Sequence, residues 1–305
     1  MPANRDEGRG RKKPKKATSG GRGRKAVLGT AAGAIPLALS LLVGPIGGTL
    51  IQPSRTGSHA TRMAASNVEF EPGCPMPFAS DPIPSIDGEC GIEGAGSTDE
   101  KIAESKAKNN FCAATSSVAP ITYQTFIDLQ KNTSFRRSAD RSPLASILTE
   151  NGATLGEGKY VEYVGFLLHA QYSNRSKGEA VNCNIPGIDT NDIHIQMVDD
   201  PDDDDACDSV TAQMSPHFRP EAWTPEKLNS IQNRLIRLRG PLFYDGSHAP
   251  CHDNKRPNPQ RISVWEIHPV YSVDVCKQKG KPCLDWIPLD EWNGVEGGEE
   301  KEQEF

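Results

Sequence analysis

The run RISVWEIHPVYSVDVC at residues 261–276 constrains the fold more than any other part of the sequence. Even-numbered residues from Val264 to His268 fall on one face of an extended strand, and odd-numbered residues from Trp265 to Val273 fall on the other. Branched and aromatic side chains suit a pleated surface. The pattern predicts one long, half-buried strand that closes a small β-barrel.

The chain before this run contains four further strand patterns and one helix. The strands are predicted at residues 159–172, 192–200, 208–217 and 236–245, and the helix at residues 224–235. Gly165 and Gly240 interrupt the first and fourth of these strands, which is typical of strongly bent strands. The order of strand, strand, strand, helix, strand, strand matches the five-stranded Greek-key barrel called the OB-fold. The predicted fold is therefore mainly β, an OB-fold-like barrel with flanking helices.

Composition divides the chain into six segments. These are a disordered basic cytoplasmic arm at 1–25, an apolar segment at 26–51, a proline-rich linker at 52–89, a helical preface at 90–155, the barrel at 156–290 and a disordered acidic tail at 291–305. In the preface, helices are expected at residues 98–113 and 122–131, with a third at 142–149. The barrel is expected to be the functional part of the chain.

The apolar segment at residues 26–51 carries no charged residue and follows a strongly basic arm. Such a pair directs export, and the positive-inside rule places everything after Ile51 outside the cytoplasm. The segment is long enough to span a bilayer, which takes about 20 residues. It is either a membrane anchor or a signal peptide, and the lack of an A-x-A cleavage site favours the anchor. The sequence thus predicts an extracytoplasmic domain of the cell envelope, anchored by a single span or secreted.

The cysteines support an oxidising compartment. Eight occur, an even number, and none forms a C-x-x-C pair of the kind that zinc sites use. The predicted disulfide residues are Cys74, Cys90, Cys112, Cys183, Cys207, Cys251, Cys276 and Cys283. Spacing leaves the connectivity open, although a bridge from Cys276 to Cys283 across a short basic loop is sterically plausible.

Charge makes nucleic acid an unfavourable partner. After the basic arm, the remaining chain has 24 basic and 38 acidic residues, a net charge of −14. Such a surface repels a phosphate backbone. OB-folds bind oligonucleotides or oligosaccharides across their second and third strands, and aromatic side chains suited to base stacking are few on those strands here. A cell-envelope protein or a saccharide is the better predicted partner.

A metal site is an alternative prediction. His194, His217 and His268 fall on or at the end of predicted strands, and three imidazoles with an open position would hold a catalytic zinc ion. No close ligand pair such as H-E-x-x-H occurs, so surface or hydrogen-bonded histidines are the simpler interpretation. The acidic turn at residues 199–205 could bind calcium but lacks the EF-hand spacing, which favours a solvated hairpin.

Two further arrangements would be chemically active if the strands bring their members together. Glu266 and His268 share one face of the fifth strand, and a second strand face carries Asp192, His194 and Gln196. Paired groups of this kind can separate a proton donor from a proton acceptor. If the other face fills the barrel, however, this face is the wet exterior. A nuclease-like OB barrel would instead need carboxylates and arginines around calcium, for which Asp192, Arg237 and Arg239 are the candidates.

Several segments resemble a family of uncharacterised exported bacterial proteins. The resemblance covers about half of the chain, from residue 156 to residue 276, and rests on KYVEYVGFLLHAQY, NDIHIQM, TAQMSPHFRP and ISVWEIHPV, with KNNFC at residues 108–112. It implies a bacterial origin and supports the boundary of the barrel domain. It implies no activity.

These observations favour a disulfide-stapled binding or structural module over an enzyme. The sequence contains no nucleophile elbow, no phosphate-binding loop and no dinucleotide fingerprint, and no catalytic residue or cofactor is predicted. The alternatives are a zinc-dependent hydrolase that uses the three histidines and a nuclease-like barrel.

Overall fold

The computed structural model describes residues 69–74, 84–278 and 280–294, all within one compact unit. The helices in these residues are α1 (Pro84–Asp87), α2 (Asp99–Lys108), α3 (Tyr123–Asn132) and α4 (Pro225–Asn229). The strands are β1 (Ala119–Ile121), β2 (Ile147–Leu148), β3 (Thr154–Leu155), β4 (Tyr160–Tyr172), β5 (Ile193–Val198), β6 (Val210–Met214), β7 (Leu235–Tyr244), β8 (Trp265–Ile267), β9 (Ser272–Cys276) and β10 (Trp286–Pro288). Short 3₁₀ turns lie at Ser142–Leu144, Ala180–Asn182 and Ala206–Asp208.

Five strands close a barrel in the order β4, β5, β6, β8, β7 and back to β4. All neighbours are antiparallel except β6 and β8, which run parallel. Helix α4 lies in sequence between the third and fourth barrel strands. This closure, with one parallel pair and one inserted helix, confirms the OB-fold-like barrel expected from the sequence.

The predicted fifth strand is divided into β8 and β9, so the prediction of one continuous strand is wrong. Residues 268–271 cross over β7 between the two, where Gly240 allows a close approach: a Cβ there would lie 2.4 Å from the carbonyl oxygen of Pro269. Strand β8 pairs with β6 and the end of β7, whereas β9 pairs with the start of β7 and with β10. Gly240 in β7 therefore marks the point at which residues 268–271 cross over the strand.

The sequence predicts that one face of this segment is buried, but residues 264–268 are buried on both faces. Trp265 and Ile267 face the apolar core, and Glu266 and His268 on the opposite face are also fully buried. The polar face is covered because the end of α2 lies over it, where His268 Nδ1 donates to the carbonyl oxygen of Lys108 at 2.8 Å. The helical preface therefore covers the face of this strand that would otherwise be exposed to solvent.

Strand β4 bends around a glycine, as its sequence predicts. A Cβ at Gly165 would lie 2.8 Å from the hydroxyl oxygen of Tyr163, so only glycine leaves room for that ring. The register irregularity of β4 against β5 lies slightly later, between Leu167 and His169. These features give the 13-residue strand its curvature, which lets it pair with β7 at one end and β5 at the other.

Helices α2, α3 and α4 begin within one residue of their predicted starts, but three predicted helices end early, and the one predicted at residues 98–113 ends at Lys108. Thr98, Thr122 and Thr224 each cap the following helix with a side-chain oxygen. The predicted helix at 142–149 is a single 3₁₀ turn followed by β2, so that prediction is wrong beyond residue 144. Helix α4 ends at Asn229, whose side chain pairs with the backbone of Ala170 at 2.8 Å through both its oxygen and its nitrogen.

All eight cysteines are paired, as their even number indicates. The bridges are Cys74–Cys112, Cys90–Cys183, Cys207–Cys251 and Cys276–Cys283. The last crosses the loop between β9 and β10, where the sequence made a bridge plausible. Each of the other three joins segments that are distant in sequence: Cys90–Cys183 links the preface to the β4–β5 connection, Cys207–Cys251 links two connections of the barrel, and Cys74–Cys112 links two segments before the barrel.

The packed part of the chain extends into the predicted linker. Phe70 is buried, and its ring stacks on that of His217 with the centroids 3.8 Å apart. Ile86 is buried as well. The predicted basic arm, the apolar segment at 26–51 and most of the acidic tail lie outside the described residues. Within the described residues, no helix is long and apolar enough to cross a membrane.

Candidate ligand-binding cleft

A cleft of about 560 Å³ lies where α2 passes over the edge of the barrel. Its walls are α2, the β4–β5 loop (residues 173–192) and the β7–β8 loop (residues 245–264), and its floor includes the end of β4 and His194 of β5. A neighbouring recess of about 170 Å³ continues along β5 and β6 and shares Gln171 and His194 with the cleft. The second and third barrel strands and these two loops form the usual ligand-binding face of an OB-fold.

The β4–β5 loop is held by a disulfide and by backbone bonds. Cys183 in this loop is bridged to Cys90, just before α2. The backbone N–H of Ala95 donates to the carbonyl oxygen of Ala180 at 2.7 Å. On the other side of the loop, Arg219 donates to the carbonyl oxygen of Asn191 at 2.8 Å. This wall is therefore fixed independently of any ligand.

The β7–β8 loop is held from two directions. Cys251 is bridged to Cys207, which lies in the 3₁₀ turn before β6. At the helix side, the Ser247 hydroxyl donates to Glu104 at 2.9 Å, and Arg137 forms an ion pair with the same carboxylate at 2.7 Å. Both walls of the cleft thus contain a disulfide, and α2 is tied to each of them.

A fully buried charge network lies beneath the cleft. Arg261 donates to Glu266 at 2.8 Å and to Asp245 at 3.2 Å, and all three side chains have no solvent exposure. Gln213 donates to both oxygens of Glu266 at 2.9 Å. Buried ions of this kind are tolerated only when they are paired, because each loses several kcal/mol of hydration energy on burial. The network therefore ties both ends of the β7–β8 loop to β8.

Lys108, the last residue of α2, lies at the floor of the cleft with its ammonium 5.6 Å from the centre of the Phe243 ring. Burial on its own would lower the pKa of Lys108. Four nearby carboxylates oppose this and raise the pKa above its usual value, with Asp245 and Glu266 contributing most, then Glu179 and Asp192. Lys108 is therefore a permanently charged cation held at the base of the cleft.

His248 forms a pair with a buried carboxylate at the rim of the cleft. Its Nδ1 lies 2.6 Å from Asp245 Oδ2, and Asp245 is fully buried whereas the imidazole is about one-third exposed. Burial would raise the pKa of Asp245, but the hydrogen bond from His248 and the charges of Lys108 and Arg261 lower it well below its usual range. The carboxylate therefore orients the ring of His248, which lines the cleft.

The two predicted acid and base faces do meet, but inside the protein. His268 Nε2 lies 3.1 Å from Asp192 Oδ2, and Asn182 donates to the other oxygen of Asp192 at 3.0 Å. Burial would raise the pKa of Asp192, but the hydrogen bond and charge of His268 lower it. All three side chains are fully buried. This pair joins the β4–β5 loop to the fifth strand, and neither of its side chains lines the cleft.

The three histidines of the zinc hypothesis each have a different carboxylate neighbour. His217 Nδ1 lies 2.6 Å from Asp87, His268 contacts Asp192, and His194 Nε2 lies 3.8 Å from Glu179. Burial lowers the pKa of His217 despite its bond to Asp87. Among the residues that the structure describes, no group of three metal-ligating side chains is close enough to hold an ion. The structure therefore does not assemble a zinc site from these residues.

The residues of the nuclease hypothesis are engaged in ion pairs on the barrel surface. Arg237 pairs with Asp274 at 2.7 Å, and Arg239 pairs with Glu162 at the same distance. Asp192 is buried and separate from them. In the acidic turn, Asp199 pairs with Lys281. The two arginines thus belong to ion pairs on the barrel surface, and the acidic turn is a solvated hairpin. The described residues contain no cluster of carboxylates that could hold calcium.

Sequence analysis missed Lys108 and His248, which the structure places together through Asp245. Asp245 and His248 are three residues apart in a glycine-containing turn, and this local spacing in the sequence indicates that their side chains can pair. Nothing in the sequence indicates that α2 lies over the polar face of β8. That contact depends on the tertiary structure and is what gives Lys108 its position.

The fold and the cleft define an OB-fold-like barrel domain stapled by four disulfides. No protein-family model and no curated protein matches the chain. Asparaginyl-tRNA synthetase of Entamoeba histolytica is 15% identical over 53% of this chain and 24% of that chain, with a TM-score of 0.24. The same enzyme with asparaginyl-adenylate is 14% identical over 52% and 24%, with a TM-score of 0.23. The chain spans about a quarter of those structures, and TM-scores this low carry no argument about function.

Proposed function

We propose that this chain is an extracytoplasmic binding module of a bacterial cell envelope, and that it binds a saccharide in the cleft between the β4–β5 and β7–β8 loops. The N-terminal apolar segment would either anchor the module in the membrane or direct its secretion. The observation that carries the proposal is a cleft at the OB-fold ligand face whose walls are both fixed by disulfides.

The disulfides support the location. Four bridges in one domain are typical of oxidising, extracytoplasmic compartments, because thiols in the cytosol are kept reduced. The apolar segment at 26–51 and the resemblance to exported bacterial proteins point to the same compartment. Three of the bridges join segments more than 35 residues apart, as their separations of 38, 93 and 44 residues indicate.

The lining of the cleft supports a saccharide as the ligand. Amides, hydroxyls and paired charges surround it, and among the described residues Tyr172 is its aromatic side chain. Hydroxyl-rich ligands need many hydrogen-bond partners together with one or two flat apolar surfaces. Single-stranded nucleic acid would need several aromatic platforms and a basic groove. The volume of about 560 Å³ falls in the range of small-ligand sites.

Isothermal titration calorimetry of the full, oxidised chain against a panel of neutral and acidic oligosaccharides tests the ligand. Gln171 is exposed and lines both the cleft and the adjoining recess, so Gln171→Trp fills them without disturbing the core. We expect this variant to lose binding. The matched control is Leu148→Trp, at an exposed position in β2 outside the cleft, which keeps binding.

Two results would contradict the proposal. One is that no oligosaccharide binds, and the other is that Gln171→Trp binds as well as the unmodified chain. The location has a separate test in bacterial cells that express the full chain. Protease added to intact spheroplasts is expected to degrade the barrel domain, and full protection would place the domain in the cytoplasm.

A further inference from the structure

The carboxylates around the cleft already have partners in the protein. Asp245 accepts from Arg261 and His248, and Glu266 accepts from Arg261 and Gln213. Glu179 accepts from the backbone N–H of Asp192 at 3.1 Å, and Glu104 pairs with Arg137 and Ser247. None of these carboxylates needs a ligand to satisfy it.

The nitrogen donors that face the cleft are different. Within the described residues, the ammonium of Lys108 has no hydrogen-bond acceptor, although it can donate three hydrogen bonds. His248 contacts Asp245 through Nδ1, and its Nε2, which makes no hydrogen bond with the described residues, is a second donor when the ring is an imidazolium. Nε2 of His194, which is buried at the same cleft, makes no hydrogen bond with the described residues and lies 3.8 Å from Glu179. Lys108 is therefore a cationic donor of the cleft without an acceptor among the described residues, and the group that complements it is an acceptor.

The charge surrounding Lys108 limits what that acceptor is. Lys108 carries a full positive charge, so a ligand anion gains a charge-assisted hydrogen bond there. Four carboxylates surround the same ammonium, and a doubly charged phosphate would be repelled by them more strongly than a singly charged group. No arginine of the described cleft lining is free, since Arg137 is paired with Glu104. A single carboxylate fits these conditions best.

We propose that the saccharide bound in the cleft is an acidic one, that Lys108 binds its carboxylate, and that His248 in its imidazolium form donates a second hydrogen bond to the same carboxylate. This inference rests on the proposed function and specifies the ligand class of the same cleft. The sugar hydroxyls lie along the amides of the walls, and the carboxylate lies at the floor. His248 is positioned by Asp245 so that its second ring nitrogen faces the ligand.

The test uses the full, oxidised chain and matched pairs of oligosaccharides. Oligomers of galacturonate, mannuronate and glucuronate are each compared with their carboxyl-reduced forms, which keep the sugar ring and lose the charge. Calorimetry is expected to show that at least one uronate oligomer binds about ten- to hundredfold more tightly than its reduced form, the usual effect of a hydrogen bond to a charged group. Equal affinity within every pair would overturn the acidic ligand and leave the proposed saccharide function standing. No binding in any pair would overturn both.

Variants assign the preference to the two residues. Lys108→Gln is expected to reduce the preference for the uronate to about twofold or less while the reduced oligomer binds as before. Lys106→Gln is the matched control, because Lys106 is exposed on the same helix and pairs with Glu93 outside the cleft. If Lys108→Gln fails to fold, His248→Gln provides the same test at an exposed side chain. A preference that survives in the folded Lys108 variant, or in the His248 variant, contradicts the assignment of that residue.

Discussion

Removal of the bridge between Cys90 and Cys183 is the most informative perturbation of this fold. The bridge joins the segment before α2 to the β4–β5 loop, and it closes a loop of 93 residues. The double variant Cys90→Ser with Cys183→Ser would leave the other three bridges in place. We expect it to lose stability and to loosen α2 from the wall of the cleft.

The size of the loss follows from the length of the loop. In the chain-entropy account, opening a loop of 93 residues costs about 4.6 kcal/mol of unfolding free energy. The bridge from Cys276 to Cys283 closes only 7 residues, for which the same relation gives about 2.4 kcal/mol. The two double variants should therefore differ by about 2 kcal/mol, with the longer loop the more important.

Urea unfolding of the full, oxidised chain, followed by circular dichroism, measures the difference between the two double variants. Saccharide binding by calorimetry provides the second readout, because the shorter bridge lies outside the cleft. The reasoning would be refuted if the variant without Cys90 and Cys183 lost no more stability than the variant without Cys276 and Cys283. It would also be refuted if ligand affinity fell equally in both.

Two further predictions concern buried side chains. The hydroxyl of Tyr163 is buried without a hydrogen-bond partner among the described residues, so Tyr163→Phe should raise the free energy of unfolding by about 1 kcal/mol; a lower urea midpoint would show that the hydroxyl has a partner. The pKa of Asp192 lies below its usual value of 3.8 in the folded protein, so its contribution to stability is present above about pH 4 and is lost as the pH falls further. Unfolding curves at a series of acidic pH values should therefore show a shallower loss for Asp192→Asn than for the unmodified chain, and parallel curves would contradict the ion pair with His268.

The barrel could be predicted from the sequence because each of its elements has a local signal. The alternation in β5 and the threonine caps of α2, α3 and α4 are properties of short segments, and the structure confirms them. The division of β8 from β9 could not be predicted in this way. It depends on the crossing of residues 268–271 over Gly240, which is a contact between segments distant in sequence.

The residues of the cleft were harder to predict from the sequence than the strands of the barrel. The sequence indicates His194 as a candidate zinc ligand. The structure places it in the lining of the cleft as one of several polar side chains, and the described residues form no metal site. In the sequence, Lys108 is one of several lysines in a predicted amphipathic helix, and nothing distinguishes it from the others. Its role at the cleft arises because four carboxylates from three separate parts of the chain surround it: Glu179 and Asp192 of the β4–β5 loop, Asp245 of the β7–β8 loop and Glu266 of β8.

The sequence alone determined the order of the strands, the glycine-dependent bends and the even set of cysteines, because each is encoded in local pattern or in composition. The tertiary structure decided which cysteines pair, that the polar face of β8 is buried, and which side chains line the cleft. Those outcomes depend on the docking of the preface onto the barrel. Docking energy is summed over contacts between distant segments, so no single stretch of the sequence contains it.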